Sequence, residues 1–442
     1  PPRSTLFPYT TLFRSPHSRP DGCPVRRRLH SRRCESHPLW RPLVKIGYDI
    51  SQTGFGKAGC GVVAAEFLRA FDRICPPHEF ILYPVVGDFF LDPDWRLSAA
   101  RPSRLPWRLG PAPSSLDRAR RFWSHHPESL ESRLGHPELL HLHSFFAPTR
   151  LPKTRLVWTL HDLDFLVHPD WSEEANRFGC FQGALNASLG ADLVVSVSEF
   201  SRRQFLDIFP HYPEDRTVTV PLASRFDPAS SPSSRPSGLA ALPKPDFFLT
   251  VATLQPRKNL PRLLQAWSRL RQQLPSCPNL VLAGGEGWLS SGLHDILHSL
   301  PGRDGVFTTG YVTDSALAWL YRNCFAFVLP SLAEGFGLPA LEAMSLGAPT
   351  VVSRVTSLPE VVGDAALLID PDSVDSLAAA LQSLCLQPEL RVRLRDAGLR
   401  RASSFSWDLS ARRLLDLYHH TLTRPKYSPS PEGATHPAPA QA

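Results

Sequence analysis

Two glutamates, Glu334 and Glu342, frame the run Gly335-Phe336-Gly337-Leu338-Pro339 in an E-x7-E pattern. The apolar stretch 325–329 before them reads as a buried strand. Pro339 suits a first helical turn and Gly347 suits the stop of that helix. Both carboxylates then sit near one helix N-terminus, at the carboxyl end of a strand. The N–H groups of Gly335, Phe336 and Gly337 can approach an anion there, with the helix dipole behind them. Carboxylates repel phosphate but accept hydrogen bonds from sugar and ribose hydroxyls. A phosphate cradle beside two hydroxyl acceptors suits a nucleotide sugar. The plain alternative is that Glu334 caps the helix and Glu342 is solvated.

A second pattern, Thr253-Leu-Gln-Pro256-Arg257-Lys258-Asn259, falls at another strand end just before a helix. Adjacent cations facing a cleft suit a diphosphate, Arg as a bidentate fork and Lys as a point charge. A surface charge pair is the competing reading. The third pattern is Thr159-Leu160-His161-Asp162-Leu163-Asp164. His161 is placed to touch a donor sugar or its phosphate. Asp162 and Asp164 spell D-x-D, but the cations and amides already answer the diphosphate, so no metal is expected. Gly54-Phe-Gly56-Lys57-Ala-Gly59 spells G-x-G-x-x-G. Three residues intervene after the preceding strand, and the acid some twenty residues on, Asp72, falls at a helix end. A dinucleotide site is therefore set aside, and Gly56 is kept in a flexible loop facing the cleft. His141 and His143 share a strand face, with no acidic or Cys partner to complete a zinc site, and read as core or cleft lining. Neither G-x-S-x-G nor H-E-x-x-H occurs.

The elements that must hold these residues alternate. Strands are expected at 44–50, 80–85, 139–143, 156–160, 193–197 and 218–220, then at 247–253, 279–283, 306–309, 325–329, 350–352 and 366–369. Helices are expected at 62–71, 173–188, 200–208, 259–274, 314–321, 339–346, 374–384 and 407–418. Residues 93–113, rich in Pro, Arg and Trp, read as loop. Such alternation predicts an α/β architecture of mostly parallel sheets covered on both faces, with ligands beyond the strands' carboxyl ends. Residues 228–245, with Pro, Ser and Gly and no period, read as a linker. The expected layout is a first half at 43–227, a second at 246–405, a last helix at 406–423 and a disordered tail at 424–442.

The chain has 442 residues, 42% hydrophobic and 20% charged, an ordinary globular composition. Its 45 prolines are an excess that points to several unstructured stretches. The net charge of +7 comes from residues 1–42, with nine arginines against Asp21 and Glu35, so the remainder balances at zero. That removes the main support for a nucleic-acid partner. Residues 1–42 have no helical or strand period, and Ser4–Ser15 resembles translated adapter sequence, so they are set aside as a non-native or disordered start. A basic targeting arm is the competing reading. The eight cysteines, none in C-x-x-C spacing, read as single thiols of a reduced compartment.

Taken together, the Glu334/Glu342 pair, Pro256-Arg-Lys-Asn259, the His161-Asp162 loop, Val197-Ser-Glu-Phe-Ser201, Gly310-Tyr-Val312 and Ser357-Leu-Pro-Glu-Val-Val-Gly-Asp364 resemble the retaining glycosyltransferases of family 4. The resemblance spans about Val44 to His419. It implies the GT-B fold, two doubly wound Rossmann-like domains facing across a cleft, with the last helix crossing back to the first domain. It implies a hexosyltransferase of the mannosyltransferase-like kind, working without cofactor or metal on a nucleotide-diphosphate sugar. Carried over, Arg257 and Lys258 bind the diphosphate, and Glu342 binds the ribose. Glu334 and the amides of Phe336 and Gly337, with Gly335 and Leu338, hold the donor, His161 and Gly56 line its pocket, and the backbone at Val312 meets the base. Many members have a Gly-Arg pair before the lysine; here Ala252-Thr253 stands there, so the diphosphate relies on Arg257 and Lys258. The expected acceptor is a glycan or lipid-linked sugar, and the expected place is the cytoplasm with peripheral membrane contact. Within the fold an epimerase or phosphorylase is the rival reading; outside it, a non-catalytic nucleotide-sugar-binding protein.

Overall fold

Strands with apolar residues on both faces can be buried only in a sheet covered on both sides. The computed structural model describes residues 43–54, 59–88, 91–236, 239, 246–285, 287 and 291–429. The basic start at 1–42, Gly56 and most of the linker's second half lie outside the described residues.

The first sheet has seven strands, β1 (Lys45–Asp49), β2 (Glu79–Tyr83), β3 (Trp107–Leu109), β4 (Leu139–Leu142), β5 (Arg155–Leu160), β6 (Leu193–Ser196) and β7 (Thr217–Thr219). The second has six, β8 (Phe247–Val251), β9 (Asn279–Ala283), β10 (Val306–Gly310), β11 (Ala326–Leu329), β12 (Thr350–Ser353) and β13 (Leu367–Ile369). The orders are β3-β2-β1-β4-β5-β6-β7 and β10-β9-β8-β11-β12-β13. All the pairings are parallel. In each sheet the winding reverses beside the first strand, at β1/β4 and β8/β11, which is where ligands of open α/β sheets bind. The expected α/β, doubly wound architecture is the one observed.

Some expected loops are ordered elements. Residues 93–113 hold a short helix, Trp95–Ser98, and the edge strand β3, whose side chains are all exposed. An exposed edge strand shows no burial period, and Pro106 just before it argued against a strand. The helix Pro388–Ala402 was also unanticipated. Its buried residues, Leu390, Leu394, Gly398 and Ala402, recur every fourth position among arginines that dominate the local pattern.

The helix Trp407–Thr423 leaves the second half and lies along Gly59–Ile74 of the first. Trp407 meets Phe67 edge-on at 5.1 Å, Phe71 lies 6.2 Å from Tyr418, and Arg73 bonds Asp408. The Tyr418 hydroxyl meets His141, whose Nε2 faces the Thr159 hydroxyl at 2.8 Å. His141 and His143 are thus core residues of the first sheet. Cys60, Cys180, Cys277, Cys324 and Cys385 are free, while Cys75 departs from the expected single thiols in being disulfide-bonded.

The expectation of a disordered tail from residue 424 needs correction for its first residues. Arg424 bonds Asp215. Lys426 Nζ and the Tyr427 amide both reach the fully buried Asp192 carboxylate, at 2.9 and 2.8 Å. The Tyr427 ring packs edge-on against Tyr212 at 5.0 Å. A Pro-rich composition hid one aromatic anchor and two cations that find partners only in the folded chain. Residues 430–442 lie outside the described residues. Asp192→Ala should lower unfolding free energy by about 3–5 kcal/mol, because it strands two largely buried cations, Lys426 and Arg155. Urea denaturation checks this, and a loss below about 1 kcal/mol would mean the tail is idle there.

Candidate active site

The Glu334 loop connects β11 to the helix Leu338–Ser345. Gly337 caps that helix in the left-handed region, φ 90°, and a Cβ on it would come 2.5 Å from Leu358 Cδ2. A Cβ on Gly335 would lie 2.1 Å from the carbonyl oxygen of His161. Glycine is required at both positions, at one by backbone angle and at the other by close approach between the halves. Ser201 Oγ sits at this junction, donating towards the carbonyls of His161 and Gly335 at 3.1 and 3.3 Å.

The cations come from the loop after β8, in the 3₁₀ turn Pro256–Lys258. Asn259 follows in the left-handed conformation, φ 58°. Its Nδ2 donates to the carbonyls of Pro330 and Pro371, at 3.0 and 2.8 Å. The Leu332 amide donates to the Arg257 carbonyl at 2.8 Å. These bonds stitch the cationic turn to the Glu334 loop.

The side chains meet there. Lys258 Nζ is 2.6 Å from Glu334 Oε1, which also accepts from Ser331 Oγ at 2.6 Å. Arg257 donates to Glu334 Oε2 at 3.2 Å and to the Ala333 carbonyl at 2.9 Å. Glu334 is held from behind as well, since its amide donates to Thr356 and its carbonyl accepts from Ser357. Burial would raise the Glu334 carboxyl, but Lys258 and Arg257 carry it down to about 2. Burial lowers Lys258, reinforced by Arg257 and opposed by Glu334. Glu334 is therefore more than a helix cap, and the two cations are more than a surface pair. Among the described residues, the N–H groups of Gly335, Phe336, Gly337 and Leu338 find no acceptor in the chain.

His161 is buried, and burial holds its imidazole below the usual histidine range. Its Nε2 donates to the His143 carbonyl at 2.8 Å, which leaves Nδ1 as the acceptor of the neutral ring. Asp164 lies 3.8 Å from Arg257, and burial and Asp162 push it up to about 7. Among the described residues no group of three or more His, Cys, Asp or Glu side chains gathers to hold a metal.

Phe336 presents its amide, the group expected to meet the donor, because its ring is buried edge-on to Phe405 at 6.1 Å. Leu338 starts the helix with its side chain against the core. Val312 follows β10 and also packs on the core. Glu342 is neither solvated nor on an open cleft wall: it is 2% exposed, 3.0 Å from Arg225 Nε, and accepts from the Tyr321 hydroxyl at 3.2 Å. Arg225 and Tyr321 were not anticipated; Arg225 follows β7 in a stretch without period, and Tyr321 read as an ordinary helix residue.

Glu334 is at about 2 in the fold, against 4.5 for a free side chain. Its ionised form thus stabilises the fold fully above about pH 4.5, and that contribution is lost as pH falls towards 2. Glu334→Gln should flatten the acid arm of stability measured by urea denaturation, beyond a pH-independent cost of about 3–5 kcal/mol. Parallel acid arms in the two proteins would show the ion pairs contribute nothing.

Residues 237–401 match the sequence profile of glycosyl transferases group 1, and residues 58–223 match that of glycosyltransferase family 4. The O-antigen chain mannosyltransferase B of Escherichia coli is 37% identical over 63% of this chain and 74% of its own length. The serotype-specific mannosyltransferase WbdA of Escherichia coli is 29% identical over 66% of this chain, which spans only 38% of that longer protein. Among solved structures, sucrose-phosphate synthase from Thermosynechococcus elongatus superposes with a TM-score of 0.65 at 19% identity, over 86% of this chain and 99% of its own. Anabaena HepE, in complex with UDP and glucose, gives 0.63 at 17% identity, over 85% and 100%. Profiles over both halves, a relative of this identity and coverage, and two doubly wound sheets place the chain in glycosyltransferase family 4, as an enzyme of the GT-B fold.

Proposed function

We propose that this enzyme transfers a hexose, mannose as in the mannosyltransferases it resembles, from a nucleotide-diphosphate sugar to a glycan or lipid-linked acceptor, with retention at the anomeric carbon and without a metal. The observation that carries this reading is the Arg257–Lys258–Glu334 network set against the unpaired amides of Gly335–Leu338. Two cations and a helix N-terminus converge where a diphosphate needs neutralisation. The Glu334 carboxylate lies beside them, held by Lys258, Arg257 and Ser331, and turns to sugar hydroxyls as the cations shift to the diphosphate.

As the glycosidic bond breaks, negative charge grows on the leaving phosphate. Lys258 and Arg257 are preorganised to meet that charge, and they exchange part of their hold on Glu334 for the phosphate oxygens. Glu334, released in part, accepts from the donor sugar. His161, with its tautomer set by the His143 carbonyl, offers Nδ1 as a second acceptor. Glu342 takes the ribose hydroxyls. Glu334 is too firmly paired to serve as a free nucleophile, which favours front-face attack by the acceptor, guided by the leaving phosphate, over the two-carboxylate route of hydrolases. No described helix is long and apolar enough to cross a membrane. A cytoplasmic site with peripheral contact to a membrane-held acceptor belongs to the same reading, supported by the O-antigen relative.

The test is a panel of nucleotide-diphosphate hexoses, with released nucleoside diphosphate as the signal and product stereochemistry by NMR. An α-linked product from an α-linked donor is expected, along with slow donor hydrolysis when no acceptor is present. Tight donor binding with neither reaction would make the protein a non-catalytic binder. Lys258→Ala should cut kcat by about 10²–10³, the usual loss for one preorganised stabiliser. The Arg257→Ala, Lys258→Ala double variant should lose less than the sum of the two. Unchanged kcat with a raised KM would reassign Lys258 to ground-state binding. Turnover should also persist in excess EDTA; abolition by chelation and rescue by Mn²⁺ would bring Asp162 and Asp164 back as ligands.

A further inference from the structure

Arg225 lies between β7 and the linker, yet its guanidinium is wedged against the second half with only 12% of the side chain exposed. Nε is 3.0 Å from Glu342 Oε1, and a terminal nitrogen is 3.3 Å from Asp314 Oδ1. The group also lies over the Phe226 ring, 5.1 Å from its centre. Asp314 opens the helix Asp314–Asn323 just beyond Val312, on the side read as base-facing. One planar cation therefore bridges the carboxylate read as the ribose acceptor and the loop read as meeting the base.

The bridge is incomplete in an informative way. Although 3.0 Å apart, Arg225 Nε and Glu342 Oε1 are not aligned for a hydrogen bond, and each is buried without a hydrogen-bond partner. Glu342 Oε2 is occupied by the Tyr321 hydroxyl at 3.2 Å. A buried carboxylate oxygen with an open lone pair is costly unless a donor arrives. A ribose hydroxyl is such a donor.

We propose that Arg225 is a positioning residue for the nucleoside end of the donor: it aims the Glu342 carboxylate as a hydrogen-bond acceptor for ribose hydroxyls and ties it to Asp314 at the base-facing loop. This rests on the reading of Glu342 as the ribose acceptor. Four groups act on that carboxylate: Arg225 from the segment after β7, Tyr321 and Asp314 from Asp314–Asn323, and Glu66 from Gly59–Ile74. Burial raises Glu342 to about 7; Asp314 and Glu66 push the same way, while Arg225 and Tyr321 oppose them. Of the other helices packed on Leu338–Ser345, Pro388–Ala402 puts Arg395 at Gly347, beyond the far end, and Leu358–Val362 turns Glu360 to the Glu199 amide. Without Arg225 the carboxyl holds a proton at neutral pH, and a protonated carboxyl offers a donor where the ribose needs an acceptor.

The experiment is calorimetric titration of the full chain with uridine, guanosine and adenosine diphosphates. The tightest of these is then compared with its 2′,3′-dideoxy form from about pH 6 to about pH 9. The wild type should prefer the ribose form, with the preference rising through about pH 7 and levelling above it. In Arg225→Met that rise should move up by about one pH unit or more, costing about tenfold in preference at neutral pH and recovering at the alkaline end. Arg225→Lys should move it less, and it carries the test if the methionine variant does not fold. A rise unmoved in both variants, or a loss that alkaline pH does not repair, overturns the proposal. Glu342→Gln, whose amide accepts but does not titrate, should show a preference that no longer changes with pH; if it keeps the same rise, the ribose reading of Glu342 itself fails, whatever Arg225 does.

Discussion

The site depends on one buried carboxylate. Glu334 is 5% exposed and holds a lysine, an arginine and a serine hydroxyl at once. Removing ions from water is expensive, and an arrangement like this persists only when every charge is answered at close range. The cationic turn after β8 and the glycine loop after β11 are thereby held as one unit. The Asn259 bonds and the Leu332–Arg257 backbone bond supply the same coupling through neutral groups. In the function proposed above, a donor diphosphate entering this network finds cations already placed and competes with Glu334 for them.

The second constraint is steric. At Gly335 the second half comes so close to the His161 carbonyl that no side chain fits between them. Ser201 bridges the same two carbonyls. The first half thus reaches the Glu334 loop at this backbone contact and through Asp164 beside Arg257, and further off through Glu199 at Glu360 and the C-terminal helix packed on Gly59–Ile74. Arg225 is a further link made of charge rather than packing. Small movements of the halves would be felt at these places first, because each depends on fit at short range.

Most of this framework is legible in the local pattern of the chain. Apolar runs such as 325–329 and 193–197, the second broken only by Ser196, announced buried parallel strands, since a segment this apolar has nowhere else to go. Pro339 and Gly347 marked a helix whose observed bounds are Leu338–Ser345. Elements whose burial depends on distant partners stayed hidden. The edge strand β3 has no buried face to betray it, and Pro388–Ala402 shows four small or aliphatic residues behind a screen of arginines. Tyr427 looked like part of a disordered tail because its partners, Tyr212 and Asp192, are some two hundred residues earlier.

The sequence by itself determined which residue types stand at which strand ends: Arg257 and Lys258 after β8, Glu334 and the glycines after β11, His161 after β5. That follows from local rules, since strand period, helix caps and turn residues act over a few positions. Tertiary structure decided which of them touch. It paired Glu334 with both cations, turned Phe336 into the core so that only its amide remains, and enclosed Glu342 with Arg225 and Tyr321. Such pairings join positions up to about 120 residues apart, and no local period carries that information. They are selected by the cost of leaving a buried charge unanswered, a quantity that exists only once the chain has closed around it.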